Sequence, residues 1–179
     1  MAATQISRKG FGQVELNHVS GIVKGEIYAQ LPAKSTFKIL EQGRFMKYDM
    51  ATGEVNLTGE GEWLLVYNEE HFYDERHTYH KDFALQADEF TDGKIYPRLI
   101  KTDVNDILTT NTFGENTSRT ATVTGVALDQ GDYVKVDTAT GYLTSGDGRT
   151  DTAPVMTWQV VKVYTMPDGQ PGVKLQRVF

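Results

Sequence analysis

This chain of 179 residues contains no cysteine, only 5 prolines and no long apolar run. The lack of cysteine excludes disulfides, thiolate nucleophiles and thiolate zinc ligands, so packing and hydrogen bonds must hold the fold together. No segment approaches the 18 or so apolar residues of a membrane-spanning helix, and the N-terminal residues lack the apolar core of a signal peptide. We therefore expect neither membrane insertion nor secretion.

Positive charge is also scarce. The 18 lysine and arginine residues are outnumbered by 24 aspartate and glutamate residues, which gives a net charge of −6. Binding to nucleic acid depends mainly on clustered lysine and arginine, and the sequence has no such cluster. We therefore predict no nucleic-acid partner. The hydrophobic content of 39% is that of an ordinary globular protein, so a folded core is expected.

One stretch of sequence occurs twice. Residues 40–53 read LEQGRFMKYDMATG, and residues 128–141, which begin 88 positions later, read LDQGDYVKVDTATG. Eight of the fourteen positions are identical, where ordinary composition gives about one match. Each copy has an early glycine and closes on Asp-x-x-Thr-Gly, the residue types that β-hairpin turns require. We therefore predict two β modules related by this repeat, with no catalytic residue in either copy.

The repeat also predicts local conformation. Asp49 and Asp137 are placed to accept hydrogen bonds from the backbone of the following turn, and Gly53 and Gly141 are suited to the positive φ that closes such a turn. Side chains alternate between the two faces of a strand, so residues two apart share a face. We predict that four side chains point into cores: Met46, Tyr48, Val134 and Val136.

The whole pattern predicts a mainly β chain with two related small β-barrel or β-sandwich modules, an N-terminal extended arm and a long irregular connection. We assign residues 1–30 to the arm, 31–118 to the first module with its long insertion, and 119–179 to the second module. Residues 111–119 have the composition of a polar linker. A long connection in a compact chain usually has a function or packs against another part of an assembly. We therefore expect the arm and the connection across residues 68–118 to contact neighbouring chains.

Two clusters are partly similar to metal sites. His71, His77 and His80 lie among carboxylates, but their spacing matches no zinc motif such as HExxH, and a solvated loop is the better interpretation. Residues 145–151 read SGDGRTD, which lacks the aspartate register and closing glutamate of a calcium loop, so we predict an ordinary turn there. We therefore assign no catalytic residue, no cofactor or cofactor-binding residue, and no metal ligand.

Several segments together suggest a class of proteins. The shared pattern Leu-x-x-Gly-x-Phe/Tyr-Met/Val-Lys-x-Asp-x-x-Thr-Gly, the strand at Trp63, and residues 67–74, 81–85 and 96–104 resemble small structural proteins that tailed bacteriophages encode beside the major capsid protein. The chain is similar to a capsid decoration, or cement, protein over about residues 35–179. This resemblance implies a non-enzymatic virion protein, made in the host cytoplasm, that lies on the capsid exterior and bridges neighbouring capsid subunits. Its implied partners are the major capsid protein and copies of itself, which would make it oligomeric on the lattice, with no membrane partner.

The sequence leaves three alternatives open. A tail, collar or fibre-associated virion component would share every compositional feature. A carbohydrate-binding β module would need exposed aromatic side chains, whereas Trp63 and Trp158 each lead an apolar strand and are predicted to be buried. A metal hydrolase would need the three histidines to converge around an open coordination position.

Overall fold

The structure of this chain is a computed structural model that describes residues 3–68 and 83–179. Strands make up 42% of it and helices 7%, so the prediction of a mainly β fold is confirmed. The helical share includes two short 3-10 helices, Ala87–Glu89 and Gly148–Thr150. The elements in chain order are β1 (Thr4–Lys9), β2 (Val14–His18), α1 (Ser20–Lys24), β3 (Ile27–Tyr28), β4 (Ile39–Glu41), β5 (Phe45–Asp49), β6 (Glu54–Asn56), β7 (Trp63–Val66), β8 (Ala84–Gln86), β9 (Leu99–Ile100), β10 (Ile107–Thr110), β11 (Thr122–Leu128), β12 (Tyr133–Val136), β13 (Leu143–Ser145), β14 (Thr157–Thr165) and β15 (Pro171–Arg177).

These strands form four sheets in which every pairing is antiparallel. The largest sheet has the strand order β13-β12-β14-β15-β10-β2, and the second has the order β3-β9-β7-β5-β6. β1 pairs with β11, and β4 pairs with β8. Over the described ranges none of these sheets closes on itself, so the small closed barrel that we gave as one form of the modules is not what the chain builds. The helices of the described ranges also lack the length and apolar composition that crossing a bilayer would require.

The two copies of the repeat have the same local strand order. β5 lies between β6 and β7, and β12 lies between β13 and β14. Lys47 is opposite Asn56, and its counterpart Lys135 is opposite Thr144, so each lysine faces the residue nine positions further along the chain. The hairpin whose first strand and turn lie in each copy therefore has the same register in both.

The turns of the two copies use the predicted chemistry. The Asp49 and Asp137 side chains each accept a hydrogen bond from the backbone amide two residues further on, at 3.0 Å in both copies. Gly53 has a φ of 68° and Gly141 a φ of 77°. Both glycines occupy the left-handed region that other residues adopt only with strain. The turn prediction is therefore confirmed at these residues.

A hydrophobic cluster joins the two largest sheets. It contains Phe45 and Leu65 from the five-stranded sheet and Val134 and Trp158 from the six-stranded sheet. The rings of Phe45 and Trp158 have centroids 5.9 Å apart. Residues from both copies of the repeat therefore pack into one shared cluster.

The five-stranded sheet is buried on its other face as well. Met46 lies in a second cluster with Leu40, Leu64 and Leu99, and Tyr48 packs against that cluster while half-buried. The inward orientation is confirmed for Met46, Val134 and Val136, which are at most 1% exposed. The two copies thus present different faces to the shared cluster: the Phe45 face of β5 and the Val134 face of β12.

The tryptophans are not equivalent positions of the repeat. Trp63 is opposite Lys47, whereas Trp158 is opposite Val134, the counterpart of Met46. Residues paired across two strands lie on the same face of the sheet. Trp63 therefore lies on the Lys47 face of the first copy, whereas Trp158 lies on the face of the second copy that corresponds to Met46. Both are buried, at 7% and 0% exposure, as we predicted.

The residues predicted to form an extended arm are part of the body of the protein. β1 pairs with β11, β2 with β10 and β3 with β9. Ile6 and Phe11 are each 1% exposed. The short apolar runs of this segment bury themselves by completing the edges of sheets, so residues 4–28 are not a free arm.

Two further expectations differ from the structure for a similar reason. In the predicted linker at residues 111–119, Phe113 lies in the shared cluster and the Thr112 hydroxyl donates a hydrogen bond to the Gln42 carbonyl oxygen at 2.9 Å. The predicted segment boundaries also do not separate sheets, because β2, β10 and β15 lie side by side. Strand pairing between distant segments, which local composition does not report, decides both outcomes.

A buried ion pair ties the N-terminal segment to the first copy of the repeat. Arg8 Nη2 donates to Glu41 Oε2 at 2.8 Å, and both side chains have 0% exposure. Glu41 also accepts hydrogen bonds from the backbone amides of Gly12 at 2.7 Å and Asn116 at 3.2 Å. Glu41 therefore connects three segments that are distant in sequence.

Candidate functional site

Of the two sequence clusters that partly resemble metal sites, the structure describes only the one at residues 145–151. His71, His77 and His80 lie outside the described residues. In residues 145–151 the carboxylates are occupied by cations: Asp147 contacts Arg149 Nη2 at 2.7 Å, and Asp151 contacts Lys135 Nζ at 2.6 Å. The hydrogen bond from Arg149 lowers the pKa of Asp147. Among residues 3–68 and 83–179, no group of three or more metal-ligating side chains converges.

The structure brings forward a residue that we did not single out, Arg44. It lies immediately before β5, and its side chain is only 4% exposed. Its guanidinium carbon is 4.8 Å from the ring centroids of both Phe37 and Tyr142. Cation–π contacts on two rings hold the planar guanidinium in one orientation, since each ring attracts the cation electrostatically.

The hydrogen bonds of Arg44 leave part of its donor capacity unused. Nε donates to the Thr140 carbonyl oxygen at 2.9 Å. Nη1 finds no hydrogen-bond acceptor among the described residues. Within the described ranges the nearest carboxylate to Nη1 is that of Glu115, whose Oε1 is 3.9 Å away on a side chain that is 58% exposed. A guanidinium offers five N–H donors, so Arg44 keeps a buried cationic donor that a further acceptor would satisfy.

Arg44 lines a cavity of about 400 Å³ between the two copies of the repeat. One wall is firmly held, because Asn116 is 2% exposed and hydrogen-bonds the Gly10 carbonyl oxygen at 2.5 Å. The other lining residues are apolar, hydroxyl-bearing or charged: Thr36, Phe37, Lys38, Ile39, Leu57, Glu115, Thr117, Ala139 and Thr140. The cavity therefore combines a preorganised cation with an apolar wall.

Tyr142 remains a neutral ring at this site. Burial raises its pKa far above the usual range of a phenol, and the negative charge of Glu41 acts in the same direction. Tyr142 therefore stays protonated at any physiological pH, so Arg44 always contacts a neutral phenol ring.

Sequence reasoning missed Arg44 although it lies inside the repeat. Its counterpart in the second copy is Asp132, so the two copies carry opposite charges at one position. Arg44 is buried, whereas Asp132 is exposed. This reversal of charge at one position of otherwise matched copies was the signal in the sequence. Only the fold shows that Arg44 lines the cavity and that Asp132 does not.

A second candidate surface lies around α1. Hydrogen bonds join three segments of the chain there: Ser20 bonds to Asp103 and Asp106, and the Asn105 amide donates to the Arg177 carbonyl oxygen. Four large apolar side chains on or next to these segments are exposed. We call this surface the α1 end. Its exposed apolar residues are Ile22 (39%), Val23 (83%), Val104 (53%) and Phe179 (46%).

Charged hydrogen bonds attach α1 to this end of the protein. Lys24 Nζ contacts Asp103 Oδ2 at 2.5 Å, and Ser20 Oγ donates to the same oxygen at 3.0 Å. The hydrogen bond from Lys24, followed by that from Ser20, lowers the pKa of Asp103. A carboxyl group whose folded-state pKa is depressed stabilises the fold above its unfolded pKa and loses that contribution as the pH falls through the folded pKa.

Asp103→Asn should therefore lower the melting temperature at about pH 7, and the difference from the parent chain should disappear well below about pH 4, where the unfolded-state carboxyl titrates. Thermal melts across this pH range measure the effect. The exposed loop variant Glu60→Gln is the control. A difference that persists unchanged at the lowest pH would show that ionisation of Asp103 does not attach α1.

Comparisons of the chain with protein-family models, with curated proteins and with solved structures found no match. We therefore infer the function from the residues and their geometry.

Proposed function

We propose that this chain is a non-enzymatic virion structural protein that decorates a bacteriophage capsid and stabilises it by bridging neighbouring capsid subunits. The major capsid protein and copies of the chain itself are its partners, and the capsid exterior is its location. The pattern of the repeat, in its resemblance to capsid decoration proteins, suggested this function. The α1 end is the observation on the fold that supports it, because its joined segments carry four exposed apolar side chains, and exposed apolar surface is suited to burial against another protein.

The strand architecture supports the same proposal. The orders β7-β5-β6 and β14-β12-β13 match, which supports two related β modules, and the shared cluster joins them into one body. A protein that reinforces a shell must transmit load between its contacts, and a body joined across distant segments suits that task. The α1 end replaces the free arm that we expected to contact the capsid, because residues 4–28 are engaged in the sheets.

The proposal predicts that purified chain binds heads prepared without it and raises the temperature at which those heads open. The double variant Val23→Asp/Val104→Asp should lower occupancy at least about tenfold, since burying each valine contributes roughly 1.5–3 kcal/mol and an added charge opposes burial. Met50→Asp is the matched control, because Met50 is 79% exposed on the closing turn of the first copy. Occupancy is measured by quantitative gel analysis of sedimented particles.

Normal occupancy by the double variant would refute the α1 end as the contact surface. Failure of the parent chain to bind heads at any concentration, combined with immunogold labelling confined to the tail, would refute decoration and support a tail, collar or fibre-associated component instead. A carbohydrate-binding function has less support, because the two tryptophans that would stack on a sugar are buried.

A further inference from the structure

We propose that the Arg44 cavity is a binding site for a carboxylate group carried on a short apolar stem. This inference is independent of the capsid proposal, because it depends only on the geometry around Arg44. The site is separate from the α1 end, so the two can be tested apart.

The guanidinium is prepared for an anion before any ligand arrives. The rings of Phe37 and Tyr142 both contact it, and the hydrogen bond from Nε to the Thr140 carbonyl oxygen fixes its direction. Binding to a preorganised group loses little side-chain entropy, which is a large part of the usual cost of forming a salt bridge. Nη1, which is buried and has no acceptor within the described ranges, gains one when the ligand binds.

The charges favour a carboxylate over a phosphate. Arg44 and Lys38 contribute two positive charges to the lining, and Glu115 contributes one negative charge. The remaining single positive charge matches a monoanion rather than a dianionic phosphate. Glu115 already brings a carboxylate to within 3.9 Å of Nη1, which is too far for a hydrogen bond. We infer that a ligand carboxylate takes the position near Nη1 while the exposed Glu115 side chain moves aside.

The walls specify the rest of the ligand. Phe37, Ile39 and Leu57 offer apolar surface for a stem of a few methylene groups, while the hydroxyls of Thr36 and Thr117 offer polar contacts. Two sources carry this chemistry: a glutamate or aspartate side chain of another polypeptide, and a free small organic acid.

The first experiment titrates the full-length, ¹⁵N-labelled chain with three probes: a capped Ala-Glu-Ala tripeptide, its Ala-Gln-Ala counterpart, and propionate. We expect the glutamate peptide to shift the amide signals of residues 36–39, 115–117 and 139–140 and the Arg44 Nε–H signal, and the glutamine peptide to leave them unchanged. Shifts by the glutamate peptide alone identify a polypeptide source, whereas equal shifts by propionate identify a small acid. Equal shifts by the two peptides, or no shift by any probe, would overturn the proposal.

Variants then test the assigned roles. Glu115→Gln should tighten binding several-fold because it removes a competing charge, and Lys38→Gln should weaken it several-fold. Arg44→Lys should weaken it at least about tenfold, because an ammonium cannot reproduce the planar, bidentate geometry. The control is Arg149→Lys, which alters another ring-stacked arginine, 4.5 Å from the Tyr133 centroid.

Lys38 and Glu115 are surface residues, so their variants keep the test valid if Arg44→Lys reduces stability. Amide spectra and thermal melts of each variant establish that it is folded. If Glu115→Gln and Lys38→Gln both bind the glutamate peptide with the affinity of the parent chain, the cavity is not a carboxylate site.

Discussion

Arg8→Met should lower the free energy of unfolding by about 3–5 kcal/mol, the usual cost of leaving one member of a buried ion pair without its partner. Glu41 would then keep a buried negative charge without its cation, although the amides of Gly12 and Asn116 still donate to it. Denaturant unfolding, extrapolated linearly to water, measures the loss. The control is Lys9→Met on the same strand, where the side chain is exposed and the expected change is within about 0.5 kcal/mol.

A double-mutant cycle separates the ion pair from general damage. Glu41→Gln keeps an oxygen for the Gly12 amide but leaves the Arg8 charge without its anion. The double variant Arg8→Met/Glu41→Gln has no buried charge at this position, so its destabilisation should be clearly smaller than the sum of the two single losses. A loss below about 1 kcal/mol for Arg8→Met would show that the pair does not hold the N-terminal segment to the body.

Gly141→Ala should cost about 2–5 kcal/mol, combining the strain of a positive φ with overpacking. The added Cβ would overlap the Phe45 carbonyl oxygen and lie 2.9 Å from Leu57 Cδ2. Gly141 also accepts a hydrogen bond from the Phe45 amide at 2.7 Å, so the turn has little freedom to withdraw. The change in denaturation midpoint at constant m value is the measurement.

The repeat supplies an internal control for this prediction. Gly53 occupies the same position of the first copy with a similar φ, but a Cβ built there meets nothing within 4 Å. Gly53→Ala should therefore cost only about 1 kcal/mol, the part due to φ. Equal losses at the two glycines would mean that the contact between the second turn and β5 contributes nothing measurable.

The conformation of the turns was predictable because its causes are local. An aspartate that caps the next amides and a glycine that accepts a positive φ act within five residues, so Asp49, Gly53 and their counterparts behave alike in both copies. The same is true of the alternation that placed Met46 and Val134 in cores.

Strand pairing was much less predictable, because it joins residues far apart in the chain. The predicted arm became β1 to β3 when partners at β11, β10 and β9 covered its short apolar runs. The predicted linker became a buried segment because Phe113 and Thr112 found partners in the body. The composition of a segment reports its polarity but not which segment will lie against it.

The sequence by itself determined the mainly β class, the hairpin turns of the repeat and the apolar positions that would be buried, because propensity, turn chemistry and alternation are properties of neighbouring residues. Only the tertiary structure decided which face of each copy meets the shared cluster, and that Gly141 is packed while Gly53 is open. It likewise placed Arg44 at a cavity and left Asp132 in solvent. Matched sequences take up different surroundings because each copy packs against different distant segments, and no local pattern encodes that difference.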